Sequence, residues 1–428
     1  MLGLLNHGRL FVGYDMGNDY AQISYAFSDS EEIETLSSVA GEQNYCIPAV
    51  LCKKPGVNQW FYGKEALRHA EEQGGILVEN LLSMAIDGEP VQIEGESYQP
   101  EALLALFMKR SLGLLSQIAS LDKIYELAVT CEHLEGRTLE AFRQAVAGIL
   151  RKTPRVSFES HEESYYHYML GQPKELWEDC SILCDYRESR ILLYRLEPNR
   201  NTTPTAVFIE EETYPFPSWE SFGSGEELRK MRMERLDQDF LEIVQKAAGT
   251  RNVNSFFLIG ENFSEQWMQE SLRFLCRGRR VFQGNNLYSK GACFGLLAKY
   301  RENGEEKNHV FLGKDKLRAN VGMKLMRQGQ ESYLALLNAG GNWFETEKTL
   351  EFYLQDGNSI EIIITPLMGK GSKLAQMILE DLPKGLTRLK ACFSMTKENQ
   401  MTVEIEDLGL GEFRPATHRI WKETITIY

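Results

Sequence analysis

Leu10-Phe11-Val12-Gly13-Tyr14-Asp15-Met16-Gly17-Asn18-Asp19 reads as an apolar strand that ends on a carboxylate and breaks at a glycine turn. Ala21 to Phe27 returns as a second strand, and Cys46 to Cys52 supplies a third, where Pro48 points to an edge or irregular position. Lys64 to Glu72 is helical, as is Pro100 to Ile118, with Leu103, Leu104, Phe107, Leu112 and Leu115 at helical spacing. Then come a strand at Ile124 to Thr130, a helix at Glu135 to Leu150 and a short strand at Val156 to Phe158. A helix from Glu162 to Leu170, closed by Gly171, completes this half.

The same order recurs. Ser181 to Asp185 is again a strand ending on a carboxylate, followed by strands at Arg190 to Leu196 and Ala206 to Glu210. A long helix spans Glu226 to Ala248, Ser255 to Ile259 is a strand ended by Gly260, and Ser264 to Cys276 and Leu287 to Tyr300 are helices. Sequence identity between the halves is negligible, so the repeat is one of pattern. Two α/β halves of one plan predict two lobes around a cleft, where a polar ligand meets both strand-ending loops.

From about His309 the chain changes character. Strands rich in β-branched and aromatic residues are predicted at Tyr333 to Leu337, Thr349 to Leu354, Ser359 to Thr365, Leu389 to Ser394, Met401 to Glu406 and Glu423 to Tyr428. Asp356-Gly357 is a hairpin signal between two of them, and Glu361 to Thr365 has the composition of a strand buried on both faces. The expected organisation is an α/β domain over 1–312, with lobes at about 1–176 and 177–312, and an antiparallel β-sandwich over 313–428.

Composition sets limits on function. A formal charge of −14 argues against a nucleic-acid footprint, which needs a basic face. No apolar run approaches the roughly 20 residues of a membrane span, and Met1 to Leu10 lacks the basic flank and long apolar core of a signal peptide. The eight cysteines are scattered, with no CxxC pair or companion histidine at zinc spacing; Cys180 and Cys184 fall on one face of a strand. No structural zinc and a reducing, cytoplasmic setting are therefore expected.

A series of stretches resembles the seventy-kilodalton heat-shock (DnaK-like) chaperones, a bacterial-type pattern within the actin-like ATPases. Val12 to Asp19 resembles the family's first phosphate loop, Ile47-Pro48-Ala49-Val50 with Gly63 to Ala66 its "IPSVV … G-x-x-A" stretch, and Leu127 to Thr130 with Arg137 to Ala145 its "VTVPA" strand and following helix. Glu162 to Gly171 resembles "NEPTAAALAYG", Phe257 to Gly260 the adenosine motif, and Asn285 to Gly295 "PDEAVAYGAA". In the C-terminal part, Leu379 to Pro383, Leu389 to Phe393, Asn399 to Ile405 and Glu423 to Ile427 resemble the substrate domain. Each match is short, and the collinear series covers nearly the whole chain. The resemblance implies a duplicated ribonuclease-H-like (actin-like) two-lobed domain followed by a substrate-binding β-sandwich without a helical lid.

It also implies a site. Gly13, Asp15, Gly17, Asn18, Asp19, Asp185, Gly260 and Glu261 fall where the family holds ATP or ADP; Asp15 and Asp185 would hold Mg2+ through water, and Asp15, Glu162 and Asp185 are the vestigial catalytic acids. The departures weaken this implication. Three glycines of the second phosphate loop have become Arg187, Glu188 and Ser189, and its closing acid is Leu192. The active-site lysine falls near Leu81, where there is none, and Asp19 places a second carboxylate where a phosphate would lie. Most of one subdomain is missing at 213–236. The expected function is thus a scaffold or chaperone-like protein with little or no ATP hydrolysis that binds a protein or peptide; the alternatives are an ATP-dependent chaperone with an altered site and an actin-type envelope or cytoskeletal adaptor.

Plainer readings stand beside each of these. Asp15 and Asp185 also suit turns after strands, and Glu162 suits a helix start. Arg187 and Arg190 suit a phosphate or an ion pair with Glu188. His161, Tyr165, Tyr166, His167 and Tyr168 read as packing where the family has alanines, and Pro215 to Trp219 as a partner patch or a cap on its own subdomain. Trp343, Phe344 and Met368, in loops around 337–344 and 366–374, are the candidate peptide-binding residues, with buried hairpin turns as the alternative.

Overall fold

The structure, a computed structural model, describes every residue except 1–7, 31, 39–42, 150–154, 188, 219–225, 261, 264–266, 302–304, 356 and 369–370. It divides into two compact units, Met1–Pro198 with Val207–Asn308, and Asn199–Ala206 with His309–Tyr428.

In the first unit, β1 (Leu10–Met16) is buried along its whole length, because a strand in mid-sheet covered on both faces can be apolar at every position. It pairs antiparallel with β2 (Tyr20–Phe27), which carries β3 (Glu34–Thr35). Beyond the Gly63–Gln73 (α1), Leu81–Asp87 (α2) and Pro100–Leu112 (α3) helices, β4 (Ile124–Cys131) returns parallel to β1. After α4 (Gly136–Ala147), β5 (Arg155–Ser160) lies parallel to β4, giving the order β5-β4-β1-β2-β3.

Ser160 ends β5 and caps α5 (His161–Leu170), its hydroxyl accepting from Glu163 N at 3.3 Å. The second sheet repeats the arrangement. Its central strand β6 (Ser181–Arg187) pairs antiparallel with β7 (Arg190–Asn199) and is followed in the sheet by β8 (Thr205–Pro215). After α6 (Glu226–Ala248), β9 (Ser255–Ile259) runs parallel to β6; after α7 (Glu270–Leu275), β10 (Arg280–Gly284) runs parallel to β9. The order is β10-β9-β6-β7-β8.

The halves exchange their last helices. α8 (Leu287–Ala298) packs on the first sheet, where Ala292, Cys293, Leu296 and Leu297 share a core with Phe11, Ala26 and Ala128. α5 packs on the second sheet: Tyr165 Oη donates to Ser181 Oγ at 2.8 Å, and Tyr165 and Tyr168 present their rings edge-on to Phe257. Where α5 and α8 cross, a Cβ on Gly291 would lie 1.9 Å from Ser164 O, and one on Gly295 would lie 2.7 Å from the His167 ring. At Gly291 the helices touch backbone to backbone, and at Gly295 the His167 ring takes the space a side chain would fill.

The second unit is a sandwich of two antiparallel four-stranded sheets. One has β11 (Ala319–Arg327), β12 (Gln330–Leu337), β14 and β15 in the order β12-β11-β14-β15, where β14 is Ser359–Pro366 and β15 is Lys373–Ile378. The other has β13 (Glu347–Leu354), β16 (Thr387–Lys397), β17 (Gln400–Asp407) and β18 (Ile420–Thr426) in the order β13-β16-β17-β18. Val321, Ile362, Ile364, Leu389, Phe393, Val403 and Ile405 fill the space between them.

Two expectations fail here. Asp356-Gly357 does not close a hairpin: β13 and β14 lie in different sheets, and Gly357 (φ 92°) carries the chain across; Asp356 is outside the described residues. Nor is 361–365 buried on both faces, for Glu361 is exposed and burial alternates along β14, as it does when one face meets the core and the other does not.

Candidate functional site

The cleft of the first unit is built on the ends of β1 and β6, which bring Asp15 and Asp185 to its floor, each 1% exposed. Burying a carboxylate is costly unless it is paired, and both are. Asp15 Oδ1 lies 2.7 Å from Nε2 of His161, the first residue of α5. The His161 ring stacks on Tyr288 at 3.7 Å and 7°, and its Nδ1 is buried with no hydrogen-bond partner among the described residues. Asp185 accepts from Arg187 Nε at 2.8 and 2.9 Å and from Tyr288 Oη at 3.0 Å. Burial, reinforced by Asp185, pushes the Tyr288 phenol far above its ordinary range, so it remains a donor. Tyr288 thus joins the two pairs, stacking on one and donating to the other.

Arg187 also lies over the Tyr20 ring, 5.1 Å from its centroid. Together with Asp19 they line two cavities of the cleft. One, of about 360 Å³, is walled by Asn18, Leu82, Ile86, Cys131, Glu132 and Thr138 among others. The second, of about 430 Å³, is walled by Cys46, Pro48, Lys64, Tyr186, Gly260 and Asn285 among others. In the first cavity Arg190 Nη2 donates to Glu132 Oε2 at 2.7 Å. Burial works to raise the Glu132 carboxyl, but hydrogen bonds from His133 and Arg190 hold it well below the usual carboxylate range.

The remaining candidate residues have local occupations. Gly13 lies under α8, where a Cβ would come within 2.1 Å of Ser289 O; it lines neither cavity. Gly17 donates its N–H to Tyr20 O at 3.0 Å, and the Asn18 side chain clamps Ser83 of α2, accepting from its N at 3.0 Å and donating to its Oγ at 2.8 Å. Gly260 adopts φ 109°, with no room for a Cβ beside Tyr186 O, and gives its N–H to Asn285 Oδ1 at 3.2 Å. Asn285 O in turn accepts from Gln22 of β2 at 2.6 Å, tying the halves together. Glu162 is buried and lines neither cavity; Glu261 lies outside the described residues, as does Glu188.

Residues 32–314 match the C-terminal region of a family of unknown function, DUF5716. The chain belongs to that family. The match covers about two-thirds of the chain and ends near Asn308, the last residue of the first unit. Residues 316–427, the sandwich, match a domain of unknown function, DUF8552. No curated protein matches the chain.

In this DUF5716 member the aromatic stretch after β8 caps its own subdomain: Phe216 is buried against Tyr186, Phe240 and Trp267, while Trp219 lies outside the described residues. In the sandwich, Trp343 is half-buried, packs against the core and meets Phe344 edge-on at 5.3 Å; Met368 is exposed and its sulfur accepts from Asn199 Nδ2 at 3.2 Å. Glu159, Glu163 and His167 bring three donor atoms within 4.8 Å of one another, an arrangement equally natural for an imidazolium between carboxylates. Among the described residues no helix is long and apolar enough to cross a membrane.

Proposed function

We propose that the first unit is a ribonuclease-H-like, actin-type pair of lobes whose nucleotide site has been given over to internal ion pairs, and that the protein is a DnaK-like scaffold that binds a protein or peptide rather than an ATPase. The observation that carries this is the occupation of Asp15 by His161 and of Asp185 by Arg187. A hydrated Mg2+ needs such carboxylates with their oxygens toward it, and here each is already engaged by a side chain of the same chain. The Gly260 N–H is likewise engaged by Asn285, and Asp19 lines both of these cavities. This donor set does not fit Mg-ATP. The repeated strand order and the collinear motifs support the lobed assignment.

The test is a thermal melt and a turnover assay of the full chain with Mg-ATP. No stabilisation and no phosphate release are expected. Turnover at a rate of about 1 per second or more, abolished by Asp15→Asn, would overturn the reading.

For the sandwich, Gly340 and Gly341 beside Trp343 and Phe344 support an extended-peptide site. Fluorescence titration with a panel of unstructured apolar peptides should show binding that Trp343→Ala weakens. Failure of the whole panel removes the peptide site and leaves the cleft reading standing.

A further inference from the structure

Strand β15 is an edge of its sheet: it pairs with β14 from Ser359↔Ile378 to Ile364↔Lys373, and among the described residues no strand pairs with its other side. Proteins usually blunt such an edge with proline, a bulge or a mid-strand charge. Lys373-Leu374-Ala375-Gln376-Met377-Ile378 has no proline, and its charge stands at the end. Ala375 and Met377 turn inward onto the core. Leu374 and Ile378 stand on the outer face, 61% and 59% exposed, with Gln376 between them.

The apolar surface does not stop at the edge strand. Ile363, opposite Leu374 on β14, is only partly covered and lies opposite Gly322 of β11. Tyr333 lies over Gly322, where a Cβ would come within 2.2 Å of the ring. A stripe therefore runs across the sheet from Tyr333 through Ile363 to Leu374 and ends at the unpaired edge.

We propose that β15 pairs antiparallel with β15 of a second copy of this chain, forming a symmetric dimer with a continuous eight-stranded sheet. A two-fold axis perpendicular to a sheet sets outer face against outer face. Centred on Gln376, it places Leu374 opposite Ile378 of the second copy and Ile378 opposite Leu374, with Ala375 opposite Met377 on the inner face. The two Gln376 side chains flank the axis; each donates to Ser359 Oγ of its own chain at 2.9 Å and keeps its amide oxygen and a second N–H for the other copy. Centring on Ala375 or Met377 instead sets Gln376 against Leu374 or Ile378. The segment is thus palindromic in chemistry about one residue, which favours a second copy over an unrelated strand.

The experiment is sedimentation velocity on the full chain between about 1 and 50 µM. The wild type should shift from monomer toward dimer across that range. Gln376→Lys and Gln376→Glu each set like charges against each other at the axis and should weaken association tenfold or more, while their equimolar mixture restores it. Gln376 is exposed but donates to Ser359 Oγ at 2.9 Å and stands opposite Glu361 of β14, so Gln376→Lys should melt close to wild type and Gln376→Glu slightly lower, and loss of association shared by both variants reports the pairing. A wild type that stays monomeric, a Gln376→Lys variant that dimerises as well as wild type, or a mixture that fails to regain association would each overturn the pairing.

Discussion

The two halves of the first unit meet the same problem with different chemistry. Each central strand delivers a carboxylate to the cleft floor, and each carboxylate is buried. In the second half the partner is Arg187, two residues along the same strand; in the first it is His161, which comes from 146 positions away. The guanidinium reaches both Asp185 oxygens, whereas His161 offers Asp15 a single ring nitrogen. The second pair can form as soon as its strand does. The first requires the β1–β4–β5 sheet to be assembled so that the start of α5 reaches the end of β1.

If the local pair anchors the floor, removing its cation should cost most. Arg187→Met leaves Asp185 buried with Tyr288 alone and should lose about 3–5 kcal/mol in urea unfolding; a loss below about 1 kcal/mol would mean that Asp185 finds another partner. Next in size is the seam between the halves. Gly291→Ala drives a methyl into Ser164 O and should cost about 3 kcal/mol, and a variant as stable as wild type would show that α5 and α8 can separate freely. His161→Leu should cost about 2 kcal/mol, less than the arginine variant because His161 gives Asp15 one contact where Arg187 gives Asp185 two. Equal losses for Arg187→Met and His161→Leu would erase the distinction between the halves.

The smallest effect should be at Glu132, where pH supplies the readout. Its folded carboxyl is held well below the usual range, so it contributes stability that is present above about pH 4.3 and is lost as pH falls toward the folded value. Arg190→Gln should therefore cost about 1–2 kcal/mol at pH 7. The gap from wild type should narrow below about pH 4, as measured by urea unfolding across pH.

The two carboxylate-ended strands were legible because an apolar run closing on Asp and a turn is a local pattern. What His161 does was not, because its partner is fixed by the third dimension; read along the chain, it looked like one more bulky residue in a stripe with Tyr165 and Tyr166. Strands β11 and β15 were also missed. Both carry Leu, Met, Lys and Ala, which favour helix in isolation, and only pairing to β14 makes them strands. The Asp356-Gly357 signal misleads as a hairpin, since Asp and Gly mark a break between strands without saying which sheet the chain rejoins. The partners of Asp15, Asp185 and Gly260 are not legible along the chain, since motif likeness places a residue near a ligand without saying what it already holds.

The exchange of α5 and α8 sets an order of events during synthesis. When residues 1–176 have left the ribosome, the first sheet exists only as a half-clothed layer, because Ala292, Cys293, Leu296 and Leu297 that cover Phe11 and Ala128 have not yet been made. A fragment ending at 176 should accordingly be recovered insoluble or bound to holding factors, whereas one ending at 308 should be recovered folded. The wait is long, more than a hundred residues, and through it α5 has no second sheet to lie on. Each half is therefore a cofactor for the other's completion, and the chain cannot be shortened by a lobe without orphaning the one that remains.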